Sequence, residues 1–257
     1  MTRAELLNLM SAMPMVASPI SSSAQSLADV WSISSDSAAP GADPRRDEDD
    51  DDEPRWISVP LVVDKRGKSE ELVDLYSRLL RDRVIFVGAP ISRPLAQVVT
   101  AQLLFLWNED PTAEISMYIN SPGGSISDGL AIIDTMRSVT CPIATYIVGQ
   151  AASMASVIAC CGAKGHRFAL RHAENLVHQG RIGGFEGQAT DLEIFARQMQ
   201  RIEDVCNNLY AEATGHSMEK IAADCERDLW LNAQEMLEYG LIDRIIERMP
   251  VAPHPAQ

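Results

Sequence analysis

The sequence predicts an α/β fold in which repeated strand–helix units build a mostly parallel sheet flanked by helices, with one long helix protruding from it. Three observations lead there. Short apolar runs, VIFVG at 84–88, ISMYIN at 115–120 and IATYIV at 143–148, alternate with stretches of helical periodicity. The connections between them are short, as repeated β–α units require. Residues 187–214 then carry apolar side chains alternately 3 and 4 apart, a seam suited to packing lengthwise on another helix.

Taken in order, VIFVG is closed by Gly88 and reads as a buried strand. Leu95, Val98, Val99, Leu103 and Leu106 follow at helical spacing, with Pro94 near the start. ISMYIN is a strand that ends in the turn SPGGS, and Leu130, Ile133 and Met136 mark the next helix. IATYIV is a third strand, and ASMASVIACCG (152–162) a small-residue helix stopped by Gly162. HRFAL and ENLVH are short extended pieces. The long helix carries Leu192, Phe195, Met199, Ile202, Cys206, Leu209 and Ala213 on its seam. At 1.5 Å per residue it reaches roughly 40 Å, long enough to leave the domain and meet another subunit. NAQE (232–235) has the form of a capping box for a last helix ending at Gly240, and LIDRIIE is a closing strand.

These elements fall in one folded domain, residues 56–249. Residues 1–55 read as a disordered acidic extension or propeptide, because Ser, Ala and Pro are followed by the self-repelling block ADPRRDEDDDDEP. Residues 250–257 are a Pro-rich tail. The net charge of −14 excludes a nucleic-acid binder that works through clustered Lys and Arg. No apolar run approaches the roughly 20 residues of a membrane span, and the N-terminus is a poor secretory signal. The five cysteines have no CxxC spacing, which argues against a zinc site and against a secreted disulfide framework. Four of them lie in apolar surroundings, and a reducing, cytoplasmic compartment fits best.

Four segments carry candidate chemistry. The strand 143–148 runs into GQAASMAS and a helix follows, so Ser153 lies at a strand-to-helix turn. A nucleophile on such a turn needs small neighbours, and Ala151 and Ala155 supply them. A serine among alanines is also ordinary helix packing. The glycines of SPGG (121–124) leave backbone N–H groups free to face a cleft, as a tetrahedral acyl intermediate requires, although a tight turn alone would explain them. His178 ends ENLVH and is better placed as a general base than His166, His172, His216 or His254. The strongest candidate for the carboxylate that orients such a histidine is Asp228 in CERDLW, with Asp191 and Asp224 as rivals that spacing does not eliminate.

YINSPGGSI, GQAASMAS, GAKGHRFAL, LVHQ, GQATDLEIFAR and ERDLWLNAQEMLEYGLID, preceded by LYSRLLRDRVIFVG, resemble the proteolytic subunit of the Clp protease family from about Ile57 to Glu247. The resemblance implies a crotonase-like α/β fold whose protruding handle is the helix 187–214. It places the nucleophile on Ser153, the base on His178, the acid on Asp228 and the oxyanion donors on the N–H groups of Gly124 and Met154. Substrate would lie extended along Gly183, Gly184 and Phe185. Two heptameric rings would stack into a tetradecamer, and an AAA+ unfoldase of the ClpX, ClpA or ClpC type would feed it unfolded polypeptide. The chain has no GxxxxGK[ST] motif, so ATP is expected to serve that partner and not this chain, which needs no cofactor.

Two departures stand out: HQGRIGGFEGQ has Gly180 where relatives carry proline, plus one inserted residue, and the acidic extension precedes the usual start. Cleavage of that extension is expected. A catalytically silent ring subunit and a crotonase-type enzyme acting on acyl-CoA are the competing readings.

Overall fold

The computed structural model describes residues 59–66, 69–180 and 188–248. The tails read at 1–55 and 250–257, and the substrate-strand residues Gly183, Gly184 and Phe185, lie outside the described residues.

The first described element is a hairpin, β1 (Leu61–Arg66) and β2 (Ser69–Asp74), which forms a sheet of its own, followed by α1 (Leu75–Arg81). Sequence reading finds neither strand, because LVVDKR and SEELVD mix charge and apolar residues without a clean period of two. Asp64 ties the hairpin to α1 through Arg78 at 3.1 Å and Arg81 at 2.5 Å.

The main sheet begins with β3 (Val84–Val87), then α2 (Arg93–Glu109), β4 (Ile115–Ser121), α3 (Ile126–Ser138) and β5 (Ile143–Ala152). It continues through α4 (Met154–Cys160), β6 (Arg167–Leu170) and β7 (Glu174–Val177). The long helix α5 (Ala189–Thr214), α6 (Met218–Cys225), β8 (Leu229–Asn232), α7 (Ala233–Tyr239) and β9 (Arg244–Ile246) complete it. The strand order β3-β4-β5-β6-β9 is parallel throughout, and β7 pairs with the far end of β5 and, antiparallel, with β8. Helical and strand periods in the sequence thus translate into the expected parallel α/β architecture. The capping box at Asn232 and the left-handed cap at Gly240 form as read.

One face of the sheet buries Ile85, Val87, Ile115, Met117, Ile119, Ile143 and Ile147. The other carries an aromatic ladder: Phe86, Tyr118, Tyr146 and Phe168 occupy matching register positions on four neighbouring strands and stack with centroids 5.5, 4.9 and 4.9 Å apart. Each such pair contributes about 0.5–1.5 kcal/mol beyond its buried area.

Two differences from the sequence reading matter for the site. β5 does not stop at Val148 but continues to Ala152, with its register against β4 shifted between Ile119 and Ser121. Gly149 (φ +149°) accommodates the shift, since a Cβ there would lie 2.7 Å from the Asn120 amide oxygen, which instead accepts from Gln150 N–H at 3.1 Å. β8 is the second: four residues are too few to declare a strand by pattern, and pairing with β7 makes it one.

Beyond β6, Arg167 clamps β9. Asp243 accepts from Arg167 Nε at 2.9 Å, Arg167 Nη2 at 2.7 Å and the Gly165 N–H at 2.8 Å. Burial alone would raise the Asp243 carboxyl, but these donors outweigh it and hold the group below its ordinary value. A depressed carboxylate stabilises the fold above the unfolded-state value and loses that contribution as pH falls through the folded one. Urea unfolding followed from neutral pH to about pH 3 should therefore show stability falling below about pH 4. Asp243→Asn should lower stability at neutral pH and flatten that acid limb.

In α5, no side chain described between Thr190 and Cys206 is buried, and Leu192 and Ile194 are 44% and 66% exposed. Asn207, Leu209 and Tyr210 are buried at its C-terminal end.

Candidate active site

The bend in β5 delivers Ser153 one residue past the strand and one before α4. Its backbone N–H donates to Leu176 O at 2.8 Å, extending the β5–β7 pairing, and the chain turns there with φ +55° and ψ −125°. That conformation costs a non-glycine residue roughly 1–3 kcal/mol. Ala151 and Ala155, both fully buried, leave no volume for larger neighbours.

Among the described residues only Arg83 shares a positive φ without being glycine. Arg83 has a structural reason: its guanidinium donates to the carbonyls of Leu106, Asp110, Ala113 and Glu114 at 2.9–3.1 Å. The Ser153 hydroxyl makes no hydrogen bond among the described residues, so its side chain does nothing to offset the strain, which is held by backbone bonds alone.

The SPGG turn packs directly on this bend. A Cβ on Gly123 (φ +89°) would lie 2.5 Å from Ala152 O, 2.7 Å from Ser153 Cβ and 3.1 Å from Met154 N. Gly124 (φ +146°) sits as tightly on Ile91, whose N–H and C=O bond to Gly123 O and Ser125 N at 2.8 Å each. That pairing uses the groups flanking Gly124 and leaves the Gly124 N–H directed away from Ile91. Met154 is the first residue of α4, so its N–H has no partner within the helix.

His178 follows β7 and lines, with Ser153, a cavity of about 160 Å³ whose walls include Ile126, Val157, Ile202 and Tyr210. Its Nδ1 lies 2.5 Å from Gln179 O. A carbonyl only accepts, so this contact selects the tautomer of the neutral imidazole in which Nδ1 carries the proton and Nε2 the lone pair. No Ser153–His178 hydrogen bond is formed in the single chain.

The β7–β8 ladder sets where Asp228 lies. Val177 pairs with Leu229, so the next antiparallel step sets His178 opposite Asp228, which is exposed. The strands are held there by Gln179 N–H to Cys225 O at 2.6 Å and the Gln179 amide to Glu226 O at 3.1 Å. The rivals lie elsewhere. Asp224 accepts from Lys220 at 2.6 Å and from the Tyr239 hydroxyl at 2.5 Å, and Asp191 is exposed in the first turn of α5.

Sequence reading missed a buried polar pair beneath the site. Ser156 Oγ donates to Asn175 Oδ1 at 2.8 Å, joining α4, which follows Ser153, to β7, which precedes His178. Both residues are at most 1% exposed, and Asn175 Nδ2 has no partner among the described residues. The polar residues in otherwise apolar runs were the available signal. At Gly180 a Cβ would meet only ordinary contacts, with Ile126 at 3.5 Å and Met199 at 3.7 Å, so the missing proline leaves no clash-bound vacancy.

The family model described as Clp protease matches residues 67–249, and so spans every site residue discussed above.

Proposed function

The chain belongs to the Clp protease family, a family of peptidases with this α/β fold, and we propose that it is the serine-type proteolytic subunit of a compartmentalised protease. The observation that carries the reading is the strained Ser153 bend, which shares a cavity with His178 and packs on the Gly123–Gly124 turn.

In this mechanism Ser153 Oγ attacks the scissile carbonyl while His178 Nε2 takes its proton. The oxyanion is bound by the N–H groups of Gly124 and Met154. His178 then protonates the leaving amine, and a water activated by the same nitrogen releases the acyl group. Asp228, across the ladder from His178, takes over the Nδ1–H from Gln179 O, orients the imidazole and stabilises its charged form. Substrate lies extended along 183–185 and pairs through its backbone.

Self-association into two stacked heptameric rings gives the exposed Leu192 and Ile194 of α5 a place to be covered. A separate AAA+ unfoldase supplies ATP-driven delivery of unfolded polypeptide. Among the described residues no helix is long and apolar enough to cross a membrane. The five cysteines are free thiols, which suits a reducing cytoplasm.

The assembled protein should cleave a short fluorogenic peptide without ATP, and a folded protein only with an unfoldase and ATP. A ring inert toward both substrates overturns the proposal in favour of a silent structural subunit. Gly124→Ala should lower kcat by about 10²–10³-fold, because a Cβ 2.3 Å from Ile91 O forces the donor strand to shift. Peptide kinetics on the assembled variant, with melting temperature as the companion measurement, check it.

A further inference from the structure

On the far end of α4 from Ser153, a second cavity of about 220 Å³ is lined by Arg137, Cys160, Cys161, Lys164, Arg167 and Glu212. It plays no part in the chemistry above. Cys160 and Cys161 are adjacent in sequence, yet differ in setting: Cys160 is 3% exposed with its Sγ 3.2 Å from Val157 O, whereas Cys161 is half-buried at the helix cap. The charges around them are unequally committed. The Arg167 guanidinium is neutralised by Asp243, and Arg137 is shared with Glu212 at 2.7 Å across an exposed ion pair. Lys164 is exposed at the rim.

We propose that Cys161 is a thiol–disulfide exchange site for small anionic disulfides of the glutathione type, with Arg137 and Lys164 receiving the carboxylates. The Cys161 thiolate attacks one sulfur of RS–SR, the S–S bond breaks, and RS⁻ leaves and is protonated by solvent. The protein sulfur is thereby oxidised to a mixed disulfide, and half of the reagent is reduced to thiol. The adjacent Cys160 thiol and the Arg137 charge together outweigh burial, which would raise it, and hold the Cys161 thiol below its ordinary value, which raises the thiolate fraction near neutral pH. The adjacent Cys161 and full burial push Cys160 up, and its S–H is committed to Val157 O, so it stays protonated and is a poor resolving thiol. The mixed disulfide therefore accumulates and does not collapse to a Cys160–Cys161 bridge.

The test is intact-mass and peptide mapping of the assembled protein after incubation with glutathione disulfide near neutral pH. The expected result is one glutathionyl group per chain on Cys161, removed by reductant, absent in Cys161→Ser and retained in Cys160→Ser. Arg137→Gln should slow adduct formation by about three- to tenfold, through the loss of a cation that favours the thiolate. Glu212→Gln breaks the same ion pair but keeps the cation, and should not slow it. Modification spread over Cys141, Cys206 and Cys225, a Cys160–Cys161 disulfide as the main product, or an unmodified chain would each overturn the proposal. None of these readouts depends on peptidase activity.

Discussion

Replacing Ser153 by glycine is expected to reduce kcat for peptide hydrolysis on the order of 10⁶-fold while making the protein more stable. The loss follows from removing the attacking oxygen, after which only binding and the oxyanion donors remain. The gain follows from the backbone. Ser153 holds φ +55° and ψ −125° without any hydrogen bond from its hydroxyl among the described residues, and glycine reaches that region without a Cβ penalty. A gain of about 1 kcal/mol, or roughly 2–4 °C in Tm for a domain of this size, is expected by thermal unfolding. Ser153→Ala should be as inactive but should show no such gain, because alanine keeps the Cβ. Opposite movements of activity and stability at one position separate a strained nucleophile from a serine that merely packs a helix.

The second large effect is expected at Asp228. Asp228→Asn should lower kcat by about 10⁴-fold with little change in KM, because an amide facing His178 can donate to Nδ1 and so stabilise the tautomer whose Nε2 already carries a proton. Asp224→Asn is the matched control. Its carboxylate is occupied by Lys220 and Tyr239, so the substitution should leave kcat unchanged and shift stability by no more than about 1 kcal/mol. Steady-state kinetics on both variants decide between the two carboxylates. Equal losses at 224 and 228 would place the orienting group wrongly.

The framework of the fold was legible because its strands are apolar runs and its helices keep a regular stripe. VIFVG, ISMYIN and IATYIV became the neighbouring strands β3, β4 and β5, and the seam from Leu192 to Ala213 became one 26-residue helix. Local stereochemistry also placed Ser153 at a strand-to-helix turn between alanines. What stayed hidden depends on pairing, which a single segment does not encode. β8 is four residues long, and only its antiparallel register with β7 sets Asp228 opposite His178. Asp191, Asp224 and Asp228 were indistinguishable by spacing for that reason. The extension of β5 to Ala152 depends likewise on a register shift against β4 and on the side chain of Asn120. Ser156 and Asn175 escaped notice because each looks unremarkable in its own segment and acquires meaning only when α4 crosses β7.

The central claim is that Ser153 is a nucleophile activated by His178, and a fluorophosphonate tests it most directly. The reagent is added to the assembled protein, and the modified residue is located by peptide mass spectrometry. The account predicts a single adduct on Ser153 that is lost in His178→Ala. An assembled, folded protein that remains unlabelled, or that is labelled on another residue, would contradict it.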